Sequence, residues 1–187
     1  KIREKLRSKF NIDQNQWVFM YLGRLKKDKG VLDLIEAFLK IKKKENTVLF
    51  LVGDDEENLK KNYNSHPRIT FLPHNDKPEN IIQICDTFCL PSYREGFGLS
   101  VIEASSLKKP IISSNTYGLK DTVINKKTGL VFQVGDIEKL NGHLVYAINN
   151  KTKMKEMGNN GRNYVEENFS EEKILVEWEK FYTENVL

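Results

Sequence analysis

Hydrophobic positions in this chain fall into two kinds of run. Trp17-Val-Phe-Met-Tyr-Leu22 and Thr47-Val-Leu-Phe-Leu-Val52 are short, nearly continuous and rich in aromatic and β-branched residues, and each ends at a glycine, Gly23 or Gly53. Such runs predict strands buried on both faces. Arg68–Leu72 and Asp86–Leu90 follow the same form and are closed by Pro73 and Pro91, and Pro110–Ser114 and Gly129–Phe132 complete a set of six strands. Between them the apolar spacing changes. After Gly30, the residues Val31, Leu34, Ile35, Phe38, Leu39 and Ile41 place one stripe on a helix. Further helices are expected from about Glu56, over Pro78–Ile84 and Gly98–Leu107, and then over Ile137–Ile148, Met154–Glu167 and Glu171–Val186. Buried strands alternating with amphipathic helices predict an α/β fold: a Rossmann-like open parallel sheet of about six strands with helices on both faces.

Length fits one domain over residues 1–187. No apolar run approaches the roughly 18 residues of a membrane span, and the basic first ten residues lack the apolar stretch of a signal peptide. The first residue is Lys1 rather than Met, so the chain is expected to be a piece of something longer. Charge is 30 basic against 26 acidic residues, a surplus that allows an anionic partner without calling for nucleic acid. Cys85 and Cys89 sit in an apolar stretch and read as two buried thiols of a reducing compartment. His66, His74 and His143 show no zinc spacing, and the acids of 54–57 read as dipole complements of a helix start rather than a metal cluster. The lysines of 40–44 read as a solvated helix end, with attraction to an anionic membrane surface as the alternative.

In an open parallel sheet, ligands bind beyond the carboxyl ends of the strands. The loops after Leu22, Val52, Leu72, Leu90 and Ser114 therefore carry the candidate chemistry. The first, Gly23-Arg-Leu-Lys-Lys-Asp-Lys-Gly30, sets Arg24 and Lys29 beside a helix start, where a phosphate or diphosphate would be held. Taken alone, the loop is better explained as four solvated cations in a polar loop. The fourth, Pro91-Ser-Tyr-Arg-Glu-Gly-Phe-Gly98, leads into a helix whose first amides would face an anion. Glu95 stands at its mouth. Glu103, more than a turn into the helix, either accepts hydrogen bonds from ligand hydroxyls or simply faces solvent.

Together these features resemble the donor-binding, C-terminal half of the retaining family 4 glycosyltransferases of the GT-B fold. The resemblance runs from about Trp17 to Phe169. It rests on Gly23-Arg24 with Lys29-Gly30, Val52-Gly53-Asp54, Phe71-Leu72, Asp86, Leu90-Pro-Ser92, Glu95-Gly-Phe-Gly98 with Glu103, and Thr128-Gly-Leu-Val131 with Asp136. Glu95 and Glu103 reproduce the family's E-x7-E signature. The resemblance implies transfer of a sugar from a nucleotide-diphosphate donor to an acceptor hydroxyl with retention, in bacterial surface polysaccharide biosynthesis. Arg24 and Lys29 would stabilise the departing diphosphate without a bound metal or other cofactor, and Glu95 would orient the donor sugar. Glu103 would take the ribose hydroxyls, and Gly23, Phe97, Gly98, Leu99 and Ser100 would contact the donor. The base would sit near Leu72 and His74, although His74 is equally an exposed loop histidine.

An N-terminal domain absent from this chain would bring the acceptor, a glycan or lipid-linked glycan, and residues 171–187 would pack toward it. The fragment alone would then bind donor without turnover, and the whole enzyme would be cytoplasmic, at most peripheral to the inner face of the membrane. Three places depart from the family pattern: Asp55 and Pro73 stand where glycines are usual, and Tyr117-Gly-Leu-Lys-Asp121 replaces Gly-Gly-x-x-Glu. Lys120 adds a cation that would favour a uronic acid, unless it faces solvent. A nucleotide-sugar epimerase of the same fold, or a non-catalytic nucleotide- or phosphate-binding module, remains the alternative.

Overall fold

A computed structural model describes residues 2–42 and 45–185. Its centre is a six-stranded, wholly parallel sheet of β1 (Trp17–Leu22), β2 (Thr47–Val52), β3 (Ile69–Leu72), β4 (Thr87–Leu90), β5 (Ile111–Ser114) and β6 (Gly129–Phe132). The spatial order is β3-β2-β1-β4-β5-β6, the doubly wound Rossmann order. Every residue of β2, β4 and β5 is buried, which is why these strands appear in the sequence without alternation.

The direction in which successive strands are added reverses at the centre. From β1 the chain steps outward to β2 and β3, and from β4 it steps the other way. Right-handed crossovers then put the connecting helices on opposite faces. α2 (Val31–Leu39) packs with α6 (Ile137–Asn149), while α5 (Leu99–Ser106) packs with α7 (Lys151–Asn168) and α4 (Pro78–Ile82). Phe19, Phe38, Phe50 and Phe88 are fully buried between the layers, and Phe19 meets Phe38 edge-on at 6.2 Å. Burying such a side chain contributes about 1.5–3 kcal/mol.

Two helices differ from expectation. α1 (Ile2–Lys9) forms although its sequence is strongly basic. Its Arg7 is buried, donating to the carbonyls of Asp13 and Gln16 at 2.6 Å each, and Arg3 donates to the carbonyls of Gln83, Ile84 and Cys85. The guanidiniums satisfy carbonyls of the 13–16 loop and of the segment that follows α4, which an apolar residue could not do. α3 (Leu59–Tyr63) begins after the acids of 54–57 rather than with them. Asp55 caps it from outside, accepting from the amides of Leu59 and Lys60. Of the lysine run, Lys40 pairs with Glu36 and Glu138, while Lys43 and Lys44 fall outside the described residues. α8 (Glu171–Asn185) buries none of its residues, and Trp178, Phe181 and Tyr182 each remain about half exposed. No helix among the described residues is long and apolar enough to cross a membrane.

Candidate functional site

The topological switch point lies between β1 and β4, so the loops that leave them flank one crevice. The β1 loop turns through a short 3-10 segment, Lys27–Lys29, and ends at Gly30 with φ +65. A side chain at Gly30 would overlap the carbonyl of Pro91, the first residue of the β4 loop. Main-chain bonds lock the two loops together: the Asp28 carbonyl accepts from the amides of both Tyr93 and Arg94.

This arrangement delivers Lys29 to Glu95. The Lys29 ammonium donates to Glu95 Oε1 and to the Arg94 carbonyl, each at 2.9 Å. Ser92 Oγ donates to the same carboxylate oxygen at 3.0 Å. Both side chains are mostly shielded, Lys29 with 16% and Glu95 with 17% of its surface exposed. Ser92 is itself held from β5, because Ser114 Oγ and Thr116 Oγ1 both donate to its carbonyl at 2.6 Å. The pair lies in the wall of a cavity of about 610 Å³, with Asp28, Tyr93, Asn115, Thr116, Tyr117 and Gln133 around it. Asp28 Oδ1 is buried there without a protein partner among the described residues. Burial, with the charges of Glu95 and Asp28 behind it, pushes the Tyr21 phenol well above its usual range, so that group stays protonated beneath the site.

Arg24 goes elsewhere. It is more than half exposed and pairs with Glu56 at 3.4 Å. With Gly23, Gly53, Asp54, His74 and Asn75 it lines a second, smaller cavity of about 170 Å³ at the ends of β1 and β2. The cations of the β1 loop thus serve two neighbouring hollows. His74 is exposed and faces Asp76 at 3.3 Å, and Leu72 packs half-buried against the core, lining neither hollow.

Between the loops, α5 starts at Gly98, whose φ of +68 turns the chain into the helix. Phe97 packs edge-on against Phe169 at 5.4 Å, fastening the helix start to the end of α7. Leu99 is strongly exposed and Ser100 half-buried. Glu103 is half-buried, and burial, then the nearby charge of Glu79, raises its pKa. Lys120 lies over the Tyr117 ring, 5.0 Å from the centroid, at the rim of the larger cavity rather than in its wall.

Sequence reasoning missed Asn115, Gln133 and Val134 as a group. Asn115 Nδ2 donates to Gln133 Oε1 at 2.6 Å, and the Val134 amide donates to Asn115 Oδ1 at 3.1 Å. The rule that picked out the other loops would have found them, because residue 133 directly follows β6.

A parallel Rossmann sheet with a cation–carboxylate pair at its switch point defines the class of a doubly wound α/β domain. The match is closer than that: residues 2–164 fit the family model "Glycosyl transferases group 1", and the chain belongs to that family. It is 32% identical to the capsular polysaccharide biosynthesis glycosyltransferase CapM of Staphylococcus aureus, over 97% of this chain and 49% of that protein. Its fold superimposes on sucrose-phosphate synthase from Thermosynechococcus elongatus with TM-score 0.86 at 28% identity, covering 97% of this chain and 48% of the other. Anabaena HepE in complex with UDP-glucose shares the fold at TM-score 0.86 and 20% identity, over 100% of this chain and 53% of its own. The chain spans about half the length of the relatives it matches.

Proposed function

We propose that this chain is the donor-binding half of a retaining family 4 glycosyltransferase of the GT-B fold that builds a surface polysaccharide. The observation that carries the reading is the Lys29–Glu95 pair at the switch point, in the wall of a cavity of nucleotide-sugar scale. The donor diphosphate lies against the start of α5, with Lys29 reaching it from one side and Arg24 from the smaller hollow. Both cations oppose the negative charge that grows on the diphosphate as the glycosidic bond breaks, which is electrostatic catalysis without a metal. Glu95, already oriented by Ser92, takes sugar hydroxyls, and the unpartnered Asp28 Oδ1 accepts another. Glu103 takes the ribose hydroxyls, and the base lies toward His74 and Asn75.

The N-terminal partner domain supplies the acceptor glycan or lipid-linked glycan, and the exposed face of α8 packs toward that domain. Turnover requires both halves. Capsule synthesis in the CapM relative supports the polysaccharide role, and UDP-glucose in HepE supports a UDP-sugar donor. A cytoplasmic enzyme at the inner membrane face follows from a lipid-linked acceptor.

Calorimetry with UDP- and GDP-sugars tests the reading on this chain alone. Weak, saturable binding of one of them, without hydrolysis or transfer, is expected. No response to any nucleotide would sink it, and epimerised sugar recovered from the complete enzyme would move it to the epimerase class.

Glu103 offers a second test. Its raised pKa favours the protonated form in the free protein, and hydroxyl donors from ribose favour the carboxylate. Donor binding is therefore expected to release a proton from Glu103 at pH just above the ordinary glutamate value of 4.5. The observed binding enthalpy would then vary with the ionisation enthalpy of the buffer, and Glu103→Gln would abolish that dependence.

A further inference from the structure

The opposite, amino-terminal end of the sheet carries a second concentration of charge. There α1, the start of β4, the turn between α5 and β5, and the first turns of α7 enclose a cavity of about 480 Å³. Arg3, Lys108, Lys109, Lys151 and Lys155 line it together with the ring of Trp17. Asp86 is its one acidic lining residue, and that carboxylate is already engaged by Arg3 at 2.6 Å, Arg7 at 3.3 Å and the Val18 amide at 2.8 Å.

The remaining cations are placed against local preference. α7 opens with Lys151, Lys153 and Lys155 and has no acid in its first turn, although cations oppose the positive end of a helix dipole. Lys151 and Lys155 are one turn apart, a like-charge spacing that also works against the helix. Lys153 finds Glu156 at 2.9 Å. Lys155 finds no acid among the described residues, and Lys151 finds only the Trp17 ring, 5.6 Å from its centroid. Lys108 adopts a left-handed backbone, φ +59, strained for a residue with a long side chain. Its carbonyl presses so closely on α7 that any side chain at Gly158 would overlap it. Lys109 gives two hydrogen bonds, to the carbonyls of Gln83 and Cys85, out of the three an ammonium carries. Local rules broken together at one place are expected at functional or strained sites.

We propose that this cavity binds a phosphate-bearing ligand carrying at least two negative charges, by Lys108, Lys151 and Lys155, with Lys109 at its floor. It lies at the end of the sheet away from the donor loops, and it stands whether or not the chain is a transferase. The ligand is either a free diphosphate-like anion or the headgroup of an anionic lipid.

The test uses Trp178→Phe, which leaves Trp17, in the cavity wall, as the single indole. Pyrophosphate titrated at fixed salt is expected to change Trp17 fluorescence saturably. Lys151→Glu with Lys155→Glu is expected to weaken that binding about tenfold or more, since two charge-assisted contacts are reversed. The same double variant keeps like charges one turn apart but puts acids at the start of α7, so Tm is expected to hold, and its measurement beside the titration separates lost binding from lost folding. Lys60→Glu with Lys61→Glu, in an exposed basic helix elsewhere, is expected to leave binding unchanged. Co-sedimentation with vesicles containing cardiolipin, whose headgroup carries two phosphates, but not with phosphatidylcholine, assigns the lipid source, and pyrophosphate binding alone assigns the free anion. No Trp17 response, equal loss in the Lys60/Lys61 control, or tighter capture of a DNA duplex than of pyrophosphate would overturn the proposal.

Discussion

Lys29→Met in the complete enzyme is expected to lower kcat about 10²–10³-fold, the usual cost of removing one preorganised group from a site of developing negative charge. Methionine keeps the unbranched stem and deletes only the ammonium. The lost contacts are the two that the structure shows, to Glu95 Oε1 and to the Arg94 carbonyl. Glu95 keeps its hydrogen bond from Ser92, so the fold should lose only on the order of 1 kcal/mol. The signature is therefore a large fall in turnover beside a small fall in Tm. Lys29→Arg should recover part of the rate, because charge matters more than shape at a diphosphate. Turnover of the nucleotide sugar within threefold of the parent would remove Lys29 from the mechanism.

Gly30→Val carries the largest expected effect on stability. A β-branched residue at φ +65 is strained by about 1–3 kcal/mol. Its Cβ would also overlap the Pro91 carbonyl, which belongs to main chain and cannot swing away. Together these place the loss on the order of 3–5 kcal/mol, or a Tm lower by roughly 10 °C for a chain of this size. Thermal unfolding followed by circular dichroism measures it. Donor affinity should fall further than stability alone requires, because displacing Pro91 displaces the loop that presents Glu95. A Tm within about 3 °C of the parent would mean that the two loops are not held in contact here.

The strands were legible because burial on both faces leaves continuous apolar runs, and all six fall within about one residue of expectation. α1 was not, because its anchor is an arginine. Arg7 is buried by carbonyls supplied from residues 13, 16 and 84, a long-range circumstance that helical periodicity cannot show. In the candidate site, the sequence marks individual residues but not which of them meet. Lys29 and Glu95 stand out by motif, yet their contact depends on the Gly30–Pro91 approach and on the Asp28 carbonyl. Arg24 looks like the twin of Lys29 in the sequence. The 3-10 turn between them sends the two into separate hollows, and Glu56, 32 positions away, decides where Arg24 rests. Asn115 and Gln133 come from neighbouring strand ends, and no local pattern couples them.

The tie between the β1 and β4 loops is made by one carbonyl and two amides, main-chain groups that most exchanges at those positions leave in place. Proline at Tyr93 or Arg94, which lacks the amide, and a side chain at Gly30, which would meet the Pro91 carbonyl, are the exchanges that break it. The Lys29 side of the crevice is thereby held by main chain, while Asn115, Tyr117 and Gln133 line the cavity with side chains. On the proposed reading, exchanges at those side chains would change which sugar is accepted while the main-chain tie that presents Lys29 stays in place.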